Sequence, residues 1–264
     1  METERMKSIV RWPFPKEPHP LWWRCSSSVT MTAVATLSKI WLCYLNSTKV
    51  YRSEVFNKLV AQRTPEMPLI TVCNHHSCMD DPLFAGALDW KTIFQPRKLR
   101  WMLGAHDICF SKPWHAFFFG LGKTFPVVRG DGVFQRGMDS ALAKLNQNEW
   151  VHVFPEGKVN MDKTWIRLKW GVGRLISECK KTPLVLPMYH LGIDDILPNT
   201  KPYLPKIGKK VTILIGHPID FGDQLKKAQQ LGLSAKEIRK SVTDIIQDEL
   251  EKLRIETQQL HEAR

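Results

Sequence analysis

Five short runs of apolar, β-branched and aromatic residues recur along the chain, and each run has the length of a strand. Stretches with apolar positions at helical spacing separate most of these runs. Alternating strands and helices predict an α/β fold, in which helices cover a central sheet that is mostly parallel or mixed. The predicted strands are residues 69–72, 125–128, 151–154, 184–188 and 211–215.

Three helices are predicted from local signals. Apolar residues recur at helical spacing across residues 164–179, which predicts a helix that packs on the sheet. A C-terminal helix follows Ser234 and Glu237, which have the spacing of a capping box. A shorter helix is expected to open at Pro82, with Asp81 as its N-cap.

The size of the chain favours one domain. It has 264 residues, of which 43% are hydrophobic, and this is enough to bury one sizeable core. Neither an internal repeat nor a long Gly/Ser linker marks a boundary in the sequence. We therefore expect a single-domain fold.

Residues 26–45 are mostly apolar or small, but they contain Lys39 and many Ser and Thr residues. A membrane span needs about twenty predominantly apolar residues, and a central lysine costs roughly 2.5 to 3.5 kcal/mol on insertion. We therefore expect an N-terminal helix that lies in or dips into the membrane interface. A single-span anchor is the alternative.

The formal net charge of +12 favours an acidic partner such as anionic lipid, nucleic acid or a phosphorylated substrate. The ten tryptophans favour lipid, because several of them alternate with Lys and Arg at residues 21–24 and 165–170. Amphipathic rings beside cations are typical of the headgroup region of a bilayer. We expect an anionic membrane surface as partner and no nucleic acid. The alternative is that the tryptophans belong to the core.

The cysteine pattern argues against metal and disulfide frameworks. Six cysteines stand at irregular spacing without a C-x-x-C pair, so free thiols are expected. A metal site built from His75, His76 and Asp80, with His106 or Asp107 as a further ligand, is a minor alternative, since no pattern such as H-E-x-x-H is present. We expect no metal.

Candidate acid/base chemistry directly follows the first predicted strand. His75 precedes Asp80 by five positions, and a turn between strand and helix can bring the carboxylate to one imidazole nitrogen. The other nitrogen is then free to take a proton from a hydroxyl group, without a covalent nucleophile. A purely structural alternative is that Ser77 and Asp80 form a capping box.

Two further strands are followed by polar residues of interest. Arg129 follows the second run, and Glu156 and Gly157 close the third. If these strands are parallel neighbours, their carboxyl ends bring a base, an arginine and a glutamate to one rim of the sheet. Arg129 can grip a phosphate with its planar fork, and Glu156 can accept hydrogen bonds from a polyol or from Arg129. The structural alternatives are a tight turn and a strand stop.

Taken together, these segments resemble the glycerolipid acyltransferase superfamily. Its motif N-H-x-S-x-x-D is present at residues 74–80, its arginine after a strand at residues 122–129, and its tetrad F-P-E-G at residues 154–157. Longer stretches are similar to one branch, the mitochondrial phospholipid transacylases that remodel cardiolipin. These stretches are residues 12–15, 107–110, 129–139, 169–176 and 195–199.

The resemblance implies acyl transfer between a phospholipid and a lysophospholipid, with cardiolipin and phosphatidylcholine among the substrates. Neither coenzyme A nor another cofactor is implied. His75 is implied as general base and Asp80 as its orienting partner. The residues implied to bind the phosphate and glycerol of the acceptor are Arg129, Glu156 and Gly157.

The same resemblance implies a peripheral or monotopic protein on the inner and outer mitochondrial membrane surfaces that face the intermembrane space. It divides the chain into a membrane-associating segment, residues 1–50, and an acyltransferase domain, residues 51–264. One departure is His76, where the family commonly has Gln. It creates a second pair of the same spacing, His76 and Asp81, so the register of the pair stays open.

Two other functions remain as alternatives. An acyl-coenzyme A-dependent lysophospholipid acyltransferase shares all of these motifs. A non-enzymatic lipid-binding membrane protein explains the charge and the tryptophans but leaves the pair of His75 and Asp80 without a purpose. A serine lipase is disfavoured, because no G-x-S-x-G is present.

Overall fold

The computed structural model describes residues 10–264, and within them eight strands form a single sheet. Residues 1–9 of the predicted membrane-associating segment therefore lie outside the described part. The strands are β1 Ser47–Tyr51, β2 Leu69–Cys73, β3 Trp101–Ala105, β4 Thr124–Val127, β5 Trp150–Val153, β6 Leu184–Leu191, β7 Lys210–Ile215 and β8 Ile219–Asp220. All five predicted strands are present.

The sheet is mixed, and its parallel part positions the candidate site. The strand order is β1-β7-β6-β2-β5-β3-β4, with β8 paired to β6. Neighbouring strands from β6 to β4 run parallel to one another, whereas β7 and β8 are antiparallel to β6. The predicted α/β class with a mixed central sheet is confirmed.

The helices cover both faces of this sheet. They are α1 Leu21–Lys39, α2 Ser53–Gln62, α3 Asp80–Ala85, α4 Trp90–Ile93, α5 His106–Cys109, α6 Pro113–Leu121, α7 Arg136–Asn146, α8 Gly171–Ser177, α9 Ile193–Ile196, α10 Gly222–Gln230 and α11 Ala235–Glu262. Successive residues of β2 alternate between two apolar cores: Leu69 and Cys73 join one, and Ile70 and Val72 join the other.

The capping box predicted for the C-terminal helix is present at the start of α11. The Ser234 hydroxyl accepts a hydrogen bond from the Glu237 N–H, and the Glu237 carboxylate accepts one from the Ser234 N–H. The apolar stripe that follows packs on α8 and β6. Local and tertiary signals agree along this helix, so the prediction holds.

The helix predicted at residues 164–179 is mostly wrong. Only Gly171–Ser177 is helical, and the residues before it run without regular structure over the middle of α11. Gln247 of α11 satisfies this backbone, because its amide accepts from the Leu168 N–H at 2.9 Å and donates to the Ile166 carbonyl at 3.3 Å. The apolar spacing therefore reflects contacts of an extended segment rather than one face of a helix.

The N-terminal helix begins five residues before the predicted start and packs on the protein along one side. A row of its residues at helical spacing is buried: Trp23, Ser27, Met31, Ala35 and Ser38. A π-helical turn, Ile40–Tyr44, follows it and leads into β1. Within residues 10–264 no helix has the length and apolar character needed to cross a membrane.

Lys39 points into the protein rather than towards solvent. Its ammonium group donates hydrogen bonds to the Gly86 carbonyl at 3.1 Å and the Leu88 carbonyl at 2.6 Å, just beyond the C-terminal end of α3. A side chain at Gly86 would meet the backbone of Ser38 and Lys39 at 2.8 Å, so only glycine permits this approach. The polarity of residues 26–45 thus serves the contact between α1 and α3.

Candidate active site

The carboxyl ends of β2 and β5 lie side by side and carry the polar groups of the site. The two strands are parallel and in register from Leu69 opposite Trp150 to Val72 opposite Val153. The residues that follow β2 and those that follow β5 therefore meet at one rim of the sheet, where parallel sheets bind ligands.

His75 and Asp80 are in hydrogen-bond contact at this rim. Nδ1 of His75 lies 2.9 Å from Oδ2 of Asp80. Asp80 is completely buried, whereas the side chain of His75 is 19% exposed. Because Asp80 occupies Nδ1, the other ring nitrogen of His75 is the one available to a ligand.

The turn between β2 and α3 is built around the carboxylate of Asp80. Its Oδ2 also accepts hydrogen bonds from the N–H groups of His76 at 2.7 Å and Ser77 at 2.9 Å. Burial by itself raises the pKa of Asp80, but His190 and His75 outweigh this and hold the pKa of the carboxyl well below its usual range. Asp80 therefore stays ionised while it orients His75.

The segment after β5 holds His75 from the other side. The phenyl ring of Phe154 stacks on the imidazole, with ring centroids 4.1 Å apart and an interplanar angle of 15°. Oε1 of Glu156 accepts the His75 N–H at 2.8 Å, and the Asn160 N–H donates to the His75 carbonyl at 2.6 Å. The ring of His75 is thereby fixed in both position and tilt.

His76 and Asp81, the second pair of the same spacing, do not contact each other. His76 is buried, its Nδ1 lies 3.1 Å from the Asn74 amide, and burial lowers its pKa to about 4. Asp81 forms an ion pair with Arg100, whose Nε donates to Oδ1 at 2.6 Å. The expectation that Asp81 caps a helix opening at Pro82 is wrong, because α3 already begins at Asp80.

Arg129 lies on the same rim but farther along it. It follows β4, which is separated from β2 by β3 and β5, or three strand spacings of about 4.8 Å each. Its guanidinium is half-exposed and forms an ion pair with Asp107, which follows β3. The structure thus brings together His75, Asp80 and Glu156, and it leaves Arg129 beside Asp107.

Gly157 and Glu156 shape the tight turn that closes this side of the site. Gly157 has a φ of +72°, a conformation that favours glycine, and an added Cβ would lie 3.1 Å from the Lys169 side chain. Glu156 is buried, and its Oε2 has no hydrogen-bond partner among the described residues. The nearby Asn160 amide donates instead to the Thr164 carbonyl at 2.7 Å.

A cleft of about 240 Å³ opens beside the pair, between the segment after β5 and α11. Its walls include His76, Glu156, Tyr189, Glu251 and Arg254. Glu156 therefore lies between the pair and the cleft, because its Oε1 accepts from the backbone of His75 and the residue also lines the cleft. Within residues 10–264 no cluster of three or more metal-binding side chains is present.

One residue of the site was not found from the sequence. His190 lies near the carboxyl end of β6, with its Nε2 3.3 Å from Oδ1 of Asp80. A polar residue at the end of an apolar strand is the signal that identified Glu156, and the same signal exists here. The predicted strand ended at Met188, and this concealed it.

Comparisons with known proteins agree with this arrangement. The sequence profile described as "Acyltransferase" matches residues 47–191. Tafazzin of Drosophila melanogaster is 44% identical over 256 residues, which cover 97% of this chain and 68% of that protein. N-acylphosphatidylethanolamine synthase of Arabidopsis thaliana is 38% identical over 200 residues, which cover 74% of this chain and 70% of that protein.

A solved structure shares the fold. The crystal structure of the 1-acyl-sn-glycerophosphate acyltransferase from Thermotoga maritima superposes with a TM-score of 0.56 and covers 86% of this chain and 79% of that chain. Sequence identity between the two is 21%. The similarity therefore concerns the α/β architecture around the rim.

The unpartnered oxygen of Glu156 leads to a stability prediction. Burial raises the pKa of Glu156 above its ordinary value of 4.5, so its ionisation opposes folding as the pH rises above that value. Glu156→Gln removes the charge but keeps an oxygen for the His75 N–H. We expect a gain of about 1 kcal/mol in the free energy of unfolding at pH 7. The gain should shrink as the pH falls through 4.5 and vanish well below it, where Glu156 is protonated in both states.

Glu251→Gln is the matched control, because Glu251 lines the same cleft but forms an ion pair with Arg254 that lowers its pKa. This variant should gain no stability at pH 7. Chemical unfolding of the three proteins at several pH values makes the comparison. A Glu156→Gln protein less stable than the wild type at pH 7 would contradict the assignment of a destabilising charge.

Proposed function

Because this chain belongs to the tafazzin family of acyltransferases, we propose that it moves acyl groups between phospholipids and lysophospholipids without coenzyme A. As it is an enzyme, the non-enzymatic lipid-binding alternative is wrong. The observation that carries the proposal is the contact of His75 Nδ1 with the buried carboxylate of Asp80, which leaves a part-exposed imidazole nitrogen at the rim. That arrangement suits a base that acts on a hydroxyl group.

The proposed reaction needs one proton-transfer residue. His75 takes the proton of the free hydroxyl of the lysophospholipid, and the resulting oxygen nucleophile attacks the ester carbonyl of the donor phospholipid. The charge of Asp80 stabilises the imidazolium that forms. When the tetrahedral intermediate breaks down, the ester bond of the donor opens, and its glycerol oxygen recovers the proton from His75. The catalyst thus returns to its initial state without a cofactor.

We propose that Arg129, Glu156 and Gly157 bind the acceptor. A guanidinium has five N–H donors, so Arg129 can bind a phosphate while it retains Asp107 or after it exchanges that partner. Its exposure and long side chain allow it to turn along the rim towards His75. Glu156 supports binding of a glycerol hydroxyl, because its Oε2 has no partner within residues 10–264. The tight turn at Gly157 brings the backbone close to the same place.

We propose cardiolipin and phosphatidylcholine as substrates, and the mitochondrial membrane surfaces facing the intermembrane space as the location. The net charge of +12 supports an anionic lipid surface, and the similarity to Drosophila tafazzin supports the substrate class. The same similarity supports the proposed location. An acyl-coenzyme A-dependent reaction is the alternative, because the fold and the His/Asp pair suit it equally.

Two neighbouring helices offer a surface for the membrane, which we call the aromatic patch. Trp22 of α1 and Trp114, Phe117 and Phe118 of α6 are all exposed. The helices are in contact, since the Ser27 hydroxyl of α1 donates to a backbone carbonyl of α6. Exposed cations flank the rings at Arg24 and Lys112. Aromatic rings and cations side by side suit the interface of an anionic bilayer.

The described part of the proposed membrane-associating segment, residues 10–50 of residues 1–50, is joined closely to the remainder of the protein. Its boundary at residue 50 falls inside β1, which pairs with β7 in the sheet. α1 also packs on α3, whose first residue is Asp80. We infer that the segment docks on the membrane as one face of the enzyme rather than as a tethered anchor.

A transfer assay tests the proposed function directly. Purified protein is incubated in vesicles with acyl-labelled phosphatidylcholine and an unlabelled lysophospholipid, in the presence and in the absence of coenzyme A. We expect labelled product at the same rate in both cases. Transfer that occurs only when an acyl-coenzyme A is added would replace the proposal by its alternative. Label in an amide of phosphatidylethanolamine would point to the amine acceptor that the name of the Arabidopsis relative suggests.

The two candidate pairs predict opposite results one residue apart. His75→Ala and Asp80→Asn should lower kcat roughly 10² to 10⁴-fold in folded, membrane-bound protein. His76→Gln should keep kcat, because His76 makes buried structural contacts. Asp81→Asn should cost stability, since Arg100 loses its charged partner, but it should also keep kcat. Transfer rates of all four variants, with thermal unfolding as the folding check, decide the register. Inactive His76 and Asp81 variants with active His75 and Asp80 variants would shift the assignment by one residue.

The aromatic patch is tested by vesicle binding. Trp114→Ser combined with Phe117→Ser should weaken binding to anionic vesicles roughly 10²-fold or more, because each buried aromatic ring stabilises the bound state by about 1.5 to 3 kcal/mol. Leu231→Ser is the control. Leu231 follows α10 and is not part of the aromatic patch, but it is as exposed as Trp114, at 65% each. Co-sedimentation measures the binding. Equal affinities of the double variant and the control would exclude the patch as the docking surface.

A further inference from the structure

The contact between His75 and Asp80 accounts for only one oxygen of the carboxylate. Oδ2 of Asp80 accepts three hydrogen bonds, from Nδ1 of His75 and from two backbone N–H groups. Oδ1 makes no hydrogen bond of ordinary geometry within residues 10–264. The polar atom that faces it is Nε2 of His190, at 3.3 Å.

We propose that His190 is a positioning residue of the active site. Its imidazole donates from Nε2 to Oδ1 of Asp80, and this keeps Oδ2 aligned with His75. We assign the proton to Nε2, because Oδ1 is an acceptor 3.3 Å from it, whereas Nδ1 faces no partner; within the described residues neither ring nitrogen makes a hydrogen bond of ordinary geometry. The inference rests on the proposed function, since it takes His75 as the base.

Because both groups are buried, the contact between them matters for the free energy of the folded protein. The side chains of His190 and Asp80 are each completely inaccessible to solvent. A buried carboxylate without a donor on one oxygen is costly, and a buried imidazole without a partner is costly as well. Since β6 is otherwise apolar around this position, with Leu186 and Met188 in the core, packing does not require a histidine here. The 3.3 Å contact between Nε2 and Oδ1 is the interaction that can offset both costs at once.

The backbone of His190 is fixed by the first residue of the acyltransferase motif. The side-chain amide of Asn74 donates to the His190 carbonyl at 3.0 Å, and its oxygen accepts the His190 N–H at 2.9 Å. Asn74 directly follows β2, where Cys73 is the last residue paired with β6. The Asn74 amide therefore extends the hydrogen bonding between the two strands by one residue. It fixes the position of His190 along β6, opposite Asp80.

The position of Asp80 depends on this support. The terminal torsion of a carboxylate has a broad, two-fold energy well, so a carboxylate held at one oxygen can rotate. Rotation would move Oδ2 away from His75 and change the direction of the imidazole. A displacement of about 1 Å at a catalytic group can cost roughly 10²-fold in rate. His190 therefore acts on the reaction through Asp80, without touching the substrate.

A matched pair of variants separates the hydrogen bond from packing. Gln and Met have similar shapes, but only Gln has an N–H donor near the position of Nε2. We expect His190→Met to lower kcat roughly 10-fold to 100-fold with KM changed less than about threefold, because substrate binding is not affected. His190→Gln should keep kcat within about fivefold of the wild type. Equal kcat values for the two variants would overturn the proposal.

A double-mutant cycle tests whether the effect passes through Asp80. In an Asp80→Asn background, His190→Met should cause less than about threefold further loss, because its target is already absent. A full additional loss would show that His190 acts independently of Asp80 and would overturn the proposal. His261→Met is the control, since His261 lies on α11 and contacts Thr212 of β7 instead. It should keep kcat.

The cycle also distinguishes this inference from the proposed function. If the wild type and His75→Ala transfer acyl groups at equal rates, the proposed function fails. If His75→Ala is inactive but His190→Met keeps wild-type kcat, only the inference fails. Should His190→Met not fold, His190→Gln decides alone, because a loss of more than about tenfold in folded His190→Gln contradicts rescue by a neutral donor.

Discussion

The charge of Asp80 lies completely inside the protein, and the surrounding structure is arranged to stabilise it. An isolated carboxylate in such a place costs several kcal/mol, even after the protein relaxes around it. The tight turn after β2 offsets this cost with two backbone N–H groups, and His75 and His190 add imidazole nitrogens. One buried charge thereby links the end of β2, the start of α3 and the position of His190 on β6. The geometry of the proposed base is a consequence of how this charge is stabilised.

The sequence predicts the central strands because complete burial makes them uniformly apolar. β2 and β5 are buried along their whole length, and both appear as clear runs. β1 lies at the edge of the sheet, where half-exposed Ser47 to Tyr51 include polar residues, so its pattern is weak. In the segment before α8, by contrast, the sequence predicts a helix that is absent. Its apolar residues have helical spacing, but Gln247 of a distant helix stabilises an extended backbone there. Tertiary contacts of this kind leave no local signal.

Some residues of the candidate site are likewise predictable from local sequence, and others depend on long-range contacts. The motif around His75 and Asp80 is local, so its spacing suffices to suggest the contact between them. The neighbourhood of Glu156 follows once β2 and β5 are taken as parallel neighbours, as the structure has them. The actual partner of Arg129 depends on the strand order, which places β3 and Asp107 between β4 and β5. His190 depends on long-range pairing too, because 110 positions separate it from Asp80 and only the adjacency of β2 and β6 brings them together.

The ammonium group of Lys39 does more than stabilise one helix end, because it joins two helices. It ties α1, the helix beside the aromatic patch, to the carbonyls at the far end of the short helix that begins with Asp80. α3 has only six residues, and the glycine at position 86 lets its C-terminal end pack directly against the backbone of α1. The helix proposed to face the membrane and the carboxylate that contacts His75 are therefore joined through one short helix. Docking of α1 on a bilayer, as proposed, would place the membrane one short helix away from the group that orients His75.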